Sequence, residues 1–196
     1  MIVLASTSPT RRNLLKQAGI AFKTARPPVD EITITKTLRK AGANVKQVAL
    51  NLAEGKAASV GQILPNAYVI GADQMLECDG NWFEKPGNRD AARKQLQILR
   101  GKTHRLVTAV VINFEGNTIW KHSDVAEMTM RDFSERFLDH YFEAMAEDAV
   151  FSVGGYQLEG IGIQLFEKVA GDYFSILGLP LMPLLGALRQ AGALTA

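Results

Sequence analysis

Cysteine and histidine are scarce in this chain of 196 residues, and no long apolar run is present. The single cysteine, Cys78, permits no internal disulfide and fits a reducing cytoplasm. No CxxC pair exists, and His104, His122 and His140 do not show the spacing of metal ligands, which argues against a structural zinc site. The longest apolar stretch, residues 176–188, is interrupted by glycine and proline and is too short to span a bilayer.

Net charge is also low. The formal charge of +2 and the pI near 8.7 come from 22 basic and 20 acidic residues spread along the chain. This balance is too weak to indicate nucleic acid or a membrane surface as a partner. The start of the sequence does not resemble an export signal, so we expect a cytoplasmic protein. The length and the 47% hydrophobic content predict one globular domain over residues 1–196.

Strand and helix patterns alternate along the chain. Hairpins and crossovers both occur, which predicts an α/β fold with a mixed sheet. The expected elements are strands at 2–5, 105–114 and 118–130, helices at about 9–17 and 45–60, a hairpin with its turn at 78–81, a helix from Asn88 to Gly101, a helix capped by Asp132 and Glu135, a strand ending at Val169, and a closing helix from Pro180.

Asp73 is unusual because it lies inside residues 68–76, which otherwise form a buried strand pattern. A buried carboxylate loses several kcal/mol of hydration unless cations, donors or a metal replace the water. Lys85 follows the predicted Asp-Gly turn and is one candidate partner. A structural ion pair and a functional site both explain this pattern.

The first strand passes directly into a helix whose predicted N-cap is Ser8, with Pro9 at the first helical position. Free backbone N–H groups and the positive end of the helix dipole lie at such a terminus. Together with Ser6 and Arg11 they suit a phosphate. A helix that is merely well capped, with arginines on its surface, explains the same residues.

Three further features have two interpretations each. Lys56 continues an apolar helical stripe, so it either extends to solvent or reaches an anion in a cleft. The glycine-rich residues 154–162 are either a site for a flat ligand or a plain turn. Asp30 and Glu31 are expected on a loop, either as solvated surface or, with Asp73, as a site for a hard cation.

The chain resembles the Maf family of nucleoside triphosphate pyrophosphatases along nearly its whole length. Many short segments in the family's order carry the resemblance. They are Leu-Ala-Ser-x-Ser-Pro at 4–9 with Arg11 and Leu14-Leu15, Val-Asp-Glu at 29–31, Leu52-Ala53 with Lys56-Ala57, Ile-Gly-Ala-Asp at 70–73, Lys85-Pro86, Gly-Lys-Thr-His at 101–104, Gly-Asp-Tyr at 171–173, and Gly-Leu-Pro-Leu at 178–181.

The resemblance implies hydrolysis of a nucleoside triphosphate to a monophosphate and pyrophosphate with a divalent metal, Mg²⁺ or Mn²⁺. It also implies a curved mixed sheet flanked by helices, with a nucleotide cleft between two lobes and often a homodimer. The implied roles are general base for Asp73, phosphate binding for Ser6, Ser8 and Arg11, charge neutralisation for Lys56 and Lys85, and metal binding for Glu31 with Asp73.

Three positions bear on the nucleobase. The dTTP/UTP branch of the family usually has arginine, threonine and glutamine where this chain has Thr10, Gln74 and Glu159. The branch of 7-methyl-GTP pyrophosphatases has Gln and Glu at the last two positions, as here. A carboxylate at Glu159 accepts hydrogen bonds from a guanine edge. Thr10 departs from both branches, because the second branch commonly has an aromatic residue there.

Two alternatives accompany this interpretation. One is a pyrophosphatase of the dTTP/UTP type. The other is a nucleotide-binding regulator of septum formation with little catalysis, which would not need the base or the lysines. Geometry adds a condition, because strict pairing from the Asp79-Gly80 turn places Gln74 opposite Lys85 and directs Asp73 to the other face. A site shared by Asp73 and Lys85 therefore requires the paired strand to bend, bulge or end near residues 72–74.

Overall fold

The protein is described by a computed structural model over residues 1–145 and 147–195. Its strands are β1 Ile2–Ala5, β2 Phe22–Ala25, β3 Tyr68–Cys78, β4 Asn81–Phe83, β5 Thr103–Phe114, β6 Asn117–Met130 and β7 Phe166–Ala170. Its α-helices are α1 Pro9–Gln17, α2 Glu31–Lys40, α3 Val45–Gly61, α4 Arg89–Leu99, α5 Glu135–Ala144, α6 Tyr173–Ile176 and α7 Leu181–Gln190. Short 3₁₀ turns occupy Glu147–Phe151, Val153–Gly155 and Ile161–Leu165.

The strands form one seven-stranded sheet in the order β2-β1-β3-β5-β6-β7, with β4 paired to β3. β1 runs parallel to β2 and β3, whereas β4 and β7 run antiparallel to their neighbours. The predicted α/β fold with a mixed sheet is therefore confirmed. The predicted turn between β3 and β4 is also confirmed, because Asp79 and Gly80 have φ values of 51° and 76°, the left-handed pair of a type I′ hairpin.

Two compact units divide the chain. Unit 1 consists of residues 1–74, 108–124 and 172–196, and unit 2 consists of residues 75–107 and 125–171. Within the described residues, no helix has both the length and the hydrophobicity required to cross a membrane. The single domain over residues 1–196 stays a prediction.

The core of unit 1 lies between the sheet and two helices, α1 and α7. Leu4, Ile70 and Ile112 from the strands form one buried cluster with Leu15 of α1 and Leu184 of α7. Since side chains alternate along a strand, Ile70 and Ala72 face this cluster, while Gly71 and Asp73 face the other way. Helix α3 packs against that second face, as its close approach to Gly71 shows.

Unit 2 buries one face of α4 and one face of α5. The buried side chains are Ala92, Leu96 and Leu99 of α4 and Leu138, Tyr141 and Phe142 of α5. The glycine-rich residues 154–162 form 3₁₀ and hydrogen-bonded turns. The helix that begins after Asn88 ends at Leu99, two residues before the predicted Gly101.

Two sequence predictions were wrong. Asp132 does not cap α5, because Ser134 is its N-cap and accepts a hydrogen bond from Phe137 N at 3.1 Å. Glu135 instead forms salt bridges with Arg93 and Arg100, at 2.8 and 3.2 Å. Asp30 and Glu31 do not lie on a loop. Asp30 caps α2 and Glu31 is its first residue.

Candidate active site

The carboxyl end of β1 lies beside the interior of the parallel strand β3 in unit 1. Ala5 of β1 pairs with Gly71 of β3 on one side and with Ala25 of β2 on the other. The strand order therefore reverses at β1, and open α/β sheets bind ligands in the crevice outside the carboxyl ends at such a point. Ser6 and Asp73 are the first polar side chains that follow this paired segment on their strands.

Helix α1 begins directly after this edge, and its predicted start is confirmed. Ser8 is the N-cap and accepts a hydrogen bond from Arg11 N at 3.4 Å, with Pro9 at the first helical position. Ser6 Oγ in turn accepts from Ser8 N at 3.2 Å. The free N–H groups and the positive end of the helix dipole therefore lie beside the carboxyl end of β1, an arrangement that suits an anion.

Arg11 is held against β3 at Ala72. Its Nε donates to Gly178 O at 2.7 Å and its Nη1 donates to Ala72 O at 3.0 Å. Burial lowers the pKa of Arg11, while the carboxylates of Asp73 and Glu31 act in the opposite direction. A guanidinium held by two carbonyls keeps one orientation, and the hydrogen bonds to these carbonyls do not use its Nη2.

Lys56 and Asp73 form a buried ion pair. Lys56 Nζ lies 2.6 Å from Asp73 Oδ1 and 3.0 Å from Glu31 Oε1. Lys56 and Asp73 are each only 6% exposed, whereas Glu31 is exposed. Burial raises the pKa of Asp73, and Lys56 and Arg11 oppose this rise by stabilising the carboxylate. The apolar stripe of α3 therefore carries its lysine to an anion rather than to solvent.

Gly71 determines how closely α3 passes over β3. A Cβ atom on Gly71 would lie 2.1 Å from Ala53 O and 2.7 Å from Ala57 N, both in the backbone of α3. These distances are far below van der Waals contact, so only glycine permits this approach. Lys56 precedes Ala57 on the helix, and the close approach brings its ammonium group within hydrogen-bond distance of Asp73.

Glu31 reaches the ion pair from the start of α2. The cap residue Asp30 is occupied differently, because its carboxylate accepts from Thr33 N at 3.1 Å and from Thr33 Oγ1 at 2.7 Å. The two neighbouring carboxylates therefore have separate tasks. Asp30 begins the helix, and Glu31 adds a second negative charge beside Lys56.

Comparison with known proteins identifies the family. The family described as "Maf-like protein" matches residues 1–191. The chain belongs to the Maf family. The chain is 50% identical over 189 residues to a 7-methyl-GTP pyrophosphatase of Brucella abortus biovar 1, covering 96% of this chain and 95% of that protein. It is also 50% identical over 192 residues to a nucleoside triphosphate pyrophosphatase of Paramagnetospirillum magneticum, with 98% and 99% covered. A 7-methyl-GTP pyrophosphatase of Rhizobium meliloti is 43% identical over 196 residues, with 100% and 98% covered.

The Maf-family segments at 4–11, 29–31, 52–57 and 70–73 therefore lie in unit 1, whereas those at 85–86 and 101–104 lie in unit 2. Described residues contain no group of three or more His, Cys, Asp or Glu side chains arranged to hold a metal. The carboxylates of Asp73 and Glu31 form a pair that shares Lys56 Nζ.

Gln74 directly follows Asp73 and is half-buried in unit 1. Its Nε2 lies 2.8 Å from Thr108 Oγ1, 3.0 Å from Ser175 O and 2.9 Å from Ile176 O. Thr10, the other base-related position of unit 1, is half-buried on α1.

Lys85 and Glu159 belong to unit 2. Lys85 is exposed in the segment after β4, and Glu159 is exposed in a turn. The pairing of β3 with β4 runs from Cys78 and Asn81 to Leu76 and Phe83. This pairing does not extend to Gln74 and Lys85, and β3 itself continues through residues 72–74. The roles of Lys85 and Glu159 in the site stay predictions.

Sequence reasoning missed Thr108, Ser175 and the short helix α6. Ser175 is 2% exposed and Thr108 is 1% exposed. Ser175 Oγ lies 2.6 Å from Asp124 Oδ2 and 2.9 Å from Asp172 Oδ1, and Asp172 is the N-cap of α6. Thr108 carried a usable signal, because it is a polar residue within an apolar strand, as Asp73 is.

Proposed function

We propose that this Maf-family protein hydrolyses a nucleoside triphosphate between the α and β phosphates, releasing a nucleoside monophosphate and pyrophosphate. The observation that carries the proposal is the buried Asp73, held by Lys56 beside Arg11 and the N-terminus of α1. The names of two relatives that are each 50% identical to the chain support it. A regulator without catalysis has no need for this buried pair.

In this proposal Asp73 is the general base for the attacking water. Burial raises its pKa, and a base whose pKa approaches the working pH accepts a proton more effectively than an ordinary carboxylate. Lys56 and Arg11 act in the opposite direction by stabilising its carboxylate form. Asp73 thus takes the water proton while the bond to the α phosphorus forms, and pyrophosphate is the leaving group.

The phosphates are assigned to the edge formed by β1 and α1. Ser6 and Ser8 supply hydroxyl groups, the start of α1 supplies N–H groups, and Arg11 Nη2 supplies further donors. Lys56 and Lys85 are proposed to neutralise charge that develops in the transition state. Phosphoryl transfer depends mainly on such positioning and charge stabilisation.

A divalent cation, Mg²⁺ or Mn²⁺, fits the chemistry of Asp73 and Glu31. Hard cations take oxygen ligands, and Mg²⁺ commonly uses one or two carboxylates together with substrate phosphates. Two carboxylates that share one ammonium group satisfy this requirement. When bound, the cation would supply charge stabilisation on the phosphate oxygens, and Lys56 would then be free to contact phosphate.

We propose a guanine-type nucleotide such as 7-methyl-GTP as the substrate. When ionised, Glu159 can only accept hydrogen bonds, which complements the N–H groups of guanine and opposes the carbonyl groups of uracil or thymine. The names of the relatives from Brucella abortus and Rhizobium meliloti support this choice. Thr10 supplies no aromatic ring for stacking, so the purine assignment does not depend on it.

A panel of nucleoside triphosphates tests the proposal. Purified protein with Mg²⁺ or Mn²⁺ should release pyrophosphate and monophosphate from 7-methyl-GTP faster than from UTP or dTTP, and EDTA should stop the reaction. Asp73→Asn protein prepared in parallel detects contaminating enzymes. Release of orthophosphate and a diphosphate contradicts the bond assignment, and a preference for UTP or dTTP contradicts the base assignment.

Two further proposals come from the sequence and the resemblance. We propose that the protein is cytoplasmic and that it forms a homodimer. Sedimentation velocity of the purified chain tests the homodimer, because a mass near 21.4 kDa at all concentrations would contradict it.

A further inference from the structure

Gln74 is the half-buried polar residue that follows Asp73 in the sequence. Within the described residues, the hydrogen bonds of its side-chain amide are all donated by Nε2. Three oxygen atoms lie within 3.0 Å of Gln74 Nε2, and they belong to Thr108, Ser175 and Ile176. Two of these oxygens are backbone carbonyls, which can only accept. The amide group therefore has a defined polarity.

A reversed amide is excluded by the same neighbours. Turning Gln74 over would place Oε1 against the carbonyl oxygens of Ser175 and Ile176, with no proton between them. Amide orientation is assigned from the hydrogen-bond network, and here the network permits only one assignment. Oε1 buried against these two carbonyls would receive no hydrogen bond from either of them, which is unfavourable.

The third partner has its polarity fixed as well. Thr108 Oγ1 donates its only proton to Ser175 O at 2.8 Å. The hydroxyl can therefore only accept from Gln74 Nε2. Thr108 is 1% exposed, so no water competes for this hydroxyl. Gln74 Nε2 thus donates to Thr108 Oγ1, and Thr108 Oγ1 donates to the carbonyl of Ser175.

Ser175, whose carbonyl accepts these hydrogen bonds, is itself held in place. Ser175 lies in α6, where Asp172 accepts from Ser175 N at 2.8 Å and lies 2.9 Å from Ser175 Oγ. Asp124 Oδ2 lies 2.6 Å from the same hydroxyl, and its other oxygen lies 2.8 Å from His122 Nε2. The acceptors that bind the amide are thus fixed to neighbouring elements of unit 1.

We infer that Thr108, with the carbonyls of Ser175 and Ile176, positions Gln74 so that the substrate meets only its carbonyl oxygen. Position 74 is then an obligate hydrogen-bond acceptor, and the ligand group that faces it is a donor. This inference rests on the proposed function, because it requires a nucleotide beside Asp73. It extends that function by making Thr108 a positioning residue for base selection and by giving Gln74 the same polarity as Glu159.

A double-mutant cycle tests whether Thr108 acts through Gln74. Thr108→Val removes one of the three acceptors of Gln74 Nε2 and keeps the shape, so only the carbonyls of Ser175 and Ile176 remain to hold the amide and Gln74 is positioned less firmly. The ratio of kcat/KM for GTP over UTP should fall by about 5-fold or more. Gln74→Met should lower the ratio at least as much. Adding Thr108→Val to Gln74→Met should change it no further, because the residue it positions is absent.

Two matched variants separate positioning from general stability. Thr108→Ser keeps the hydroxyl and should retain the wild-type ratio. Thr129→Val removes a hydroxyl that is paired with Thr103 at 2.9 Å and is not part of the Gln74 network, so it should also retain the ratio. Multiplicative losses in the double variant, or a Thr108→Val ratio within 2-fold of wild type, would overturn the inference. A wild-type ratio below one would overturn it too.

Failure of the proposed function is recognised separately. It would appear as no pyrophosphate release by the wild-type protein from GTP, 7-methyl-GTP or UTP. The same cycle is then read from dissociation constants for GTP and UTP by isothermal titration calorimetry. The binding ratios must show the same non-additive pattern, and additive ratios or equal affinities for the two nucleotides would overturn the inference.

Discussion

Asp73 in unit 1 and His104 in unit 2 are both buried titratable side chains, and their surroundings differ in kind. Asp73 has Lys56 Nζ at 2.6 Å and Arg11 nearby. His104 is fully buried, with Tyr156 OH 2.7 Å from Nε2 and no partner for Nδ1 within the described residues. Burial raises the pKa of Asp73 and lowers the pKa of His104 to about 4, so burial disfavours the charged form in both.

The difference lies in the charges that surround each group. The cations Lys56 and Arg11 oppose the effect of burial on Asp73 and stabilise its carboxylate. Among the described residues, no charged group offsets the burial of His104, and its ring lies close to the rings of Tyr156 and Phe166. A buried titratable group with opposite charges around it, such as Asp73, is therefore a candidate functional residue. This comparison separates a candidate base from a structural histidine, and five experiments can break it or sharpen it.

The largest effect is expected at Asp73. Asp73→Asn removes the base and keeps the shape, so pyrophosphate release should fall by about 10²-fold or more. Stopped-time assays of pyrophosphate measure the loss, and circular dichroism with nucleotide titration verifies that fold and binding remain. Near-normal turnover by a folded variant would remove Asp73 from the role of base.

The pH profile gives a second measurement of the same residue. The reaction needs ionised Asp73, so kcat/KM should fall as the pH drops through its raised pKa. The acidic limb should therefore have its midpoint above the ordinary value of 3.8. A midpoint at or below 3.8 would contradict the effect of burial.

Lys56→Met tests how much the buried ion pair with Asp73 contributes to stability. It leaves the carboxylate of Asp73 buried without its nearest cation, which should cost about 3 kcal/mol of unfolding free energy at pH 7. Protonation of Asp73 removes the uncompensated charge, so the deficit should shrink as the pH falls. Urea unfolding at several pH values measures both effects.

The exposed Lys102 provides the control for that experiment. It pairs with Asp79 at 3.0 Å on the surface, and Lys102→Met should change stability little. Equal losses for the two lysine variants would show that burial adds nothing to the value of the Lys56 pair.

The burial of neutral His104 is tested by measuring stability at lower pH. The pKa of His104 is about 4 in the folded chain and 6.5 as its ordinary value. The unfolded chain therefore binds more protons in this window, and stability falls as the pH falls. The difference predicts a loss of about 2 kcal/mol between pH 7 and pH 5. Urea unfolding should give a shallower pH dependence for His104→Gln, whereas His140→Gln, on the exposed face of α5, should keep the wild-type slope.

The smallest effect is expected at Tyr156. Tyr156→Phe leaves both nitrogens of His104 without a hydrogen-bond partner, which should lower the unfolding free energy by about 1 kcal/mol. Thermal or urea unfolding measures it, and Tyr173→Phe at an exposed ring is the control. A neutral result would show that the hydroxyl does not stabilise the buried imidazole.

Local chemistry made several elements predictable. Ser8 and Pro9 mark the start of α1, and Asp79 with Gly80 marks a type I′ turn, because each signal depends on residues that are adjacent in sequence. Periodicity placed Lys56 on the inner face of α3. It did not identify the partner, since Asp73 lies 17 residues away on another element.

Other features depend on contacts that no local pattern encodes. α2 was missed because its sequence alternates threonine and isoleucine, which are poor helix formers, and the cap at Asp30 decides the outcome. Ser134 and not Asp132 caps α5, and Glu135 forms salt bridges with Arg93 of α4 and with Arg100, which directly follows α4. The hydrogen bond from Gln74 to Thr108 joins residues 34 positions apart, and the other acceptors of Gln74 lie in α6, a helix that the sequence did not predict.

The absent side chain at Gly71 has a consequence for how this site tolerates change. A methyl group there would have to push the backbone of α3 away from β3, since Ala53 O lies 2.1 Å from its place. The ammonium of Lys56 moves with that helix, so the spacing of the charged pair is set by an atom that is missing. A library that varies only the charged residues would overlook the position on which their spacing depends.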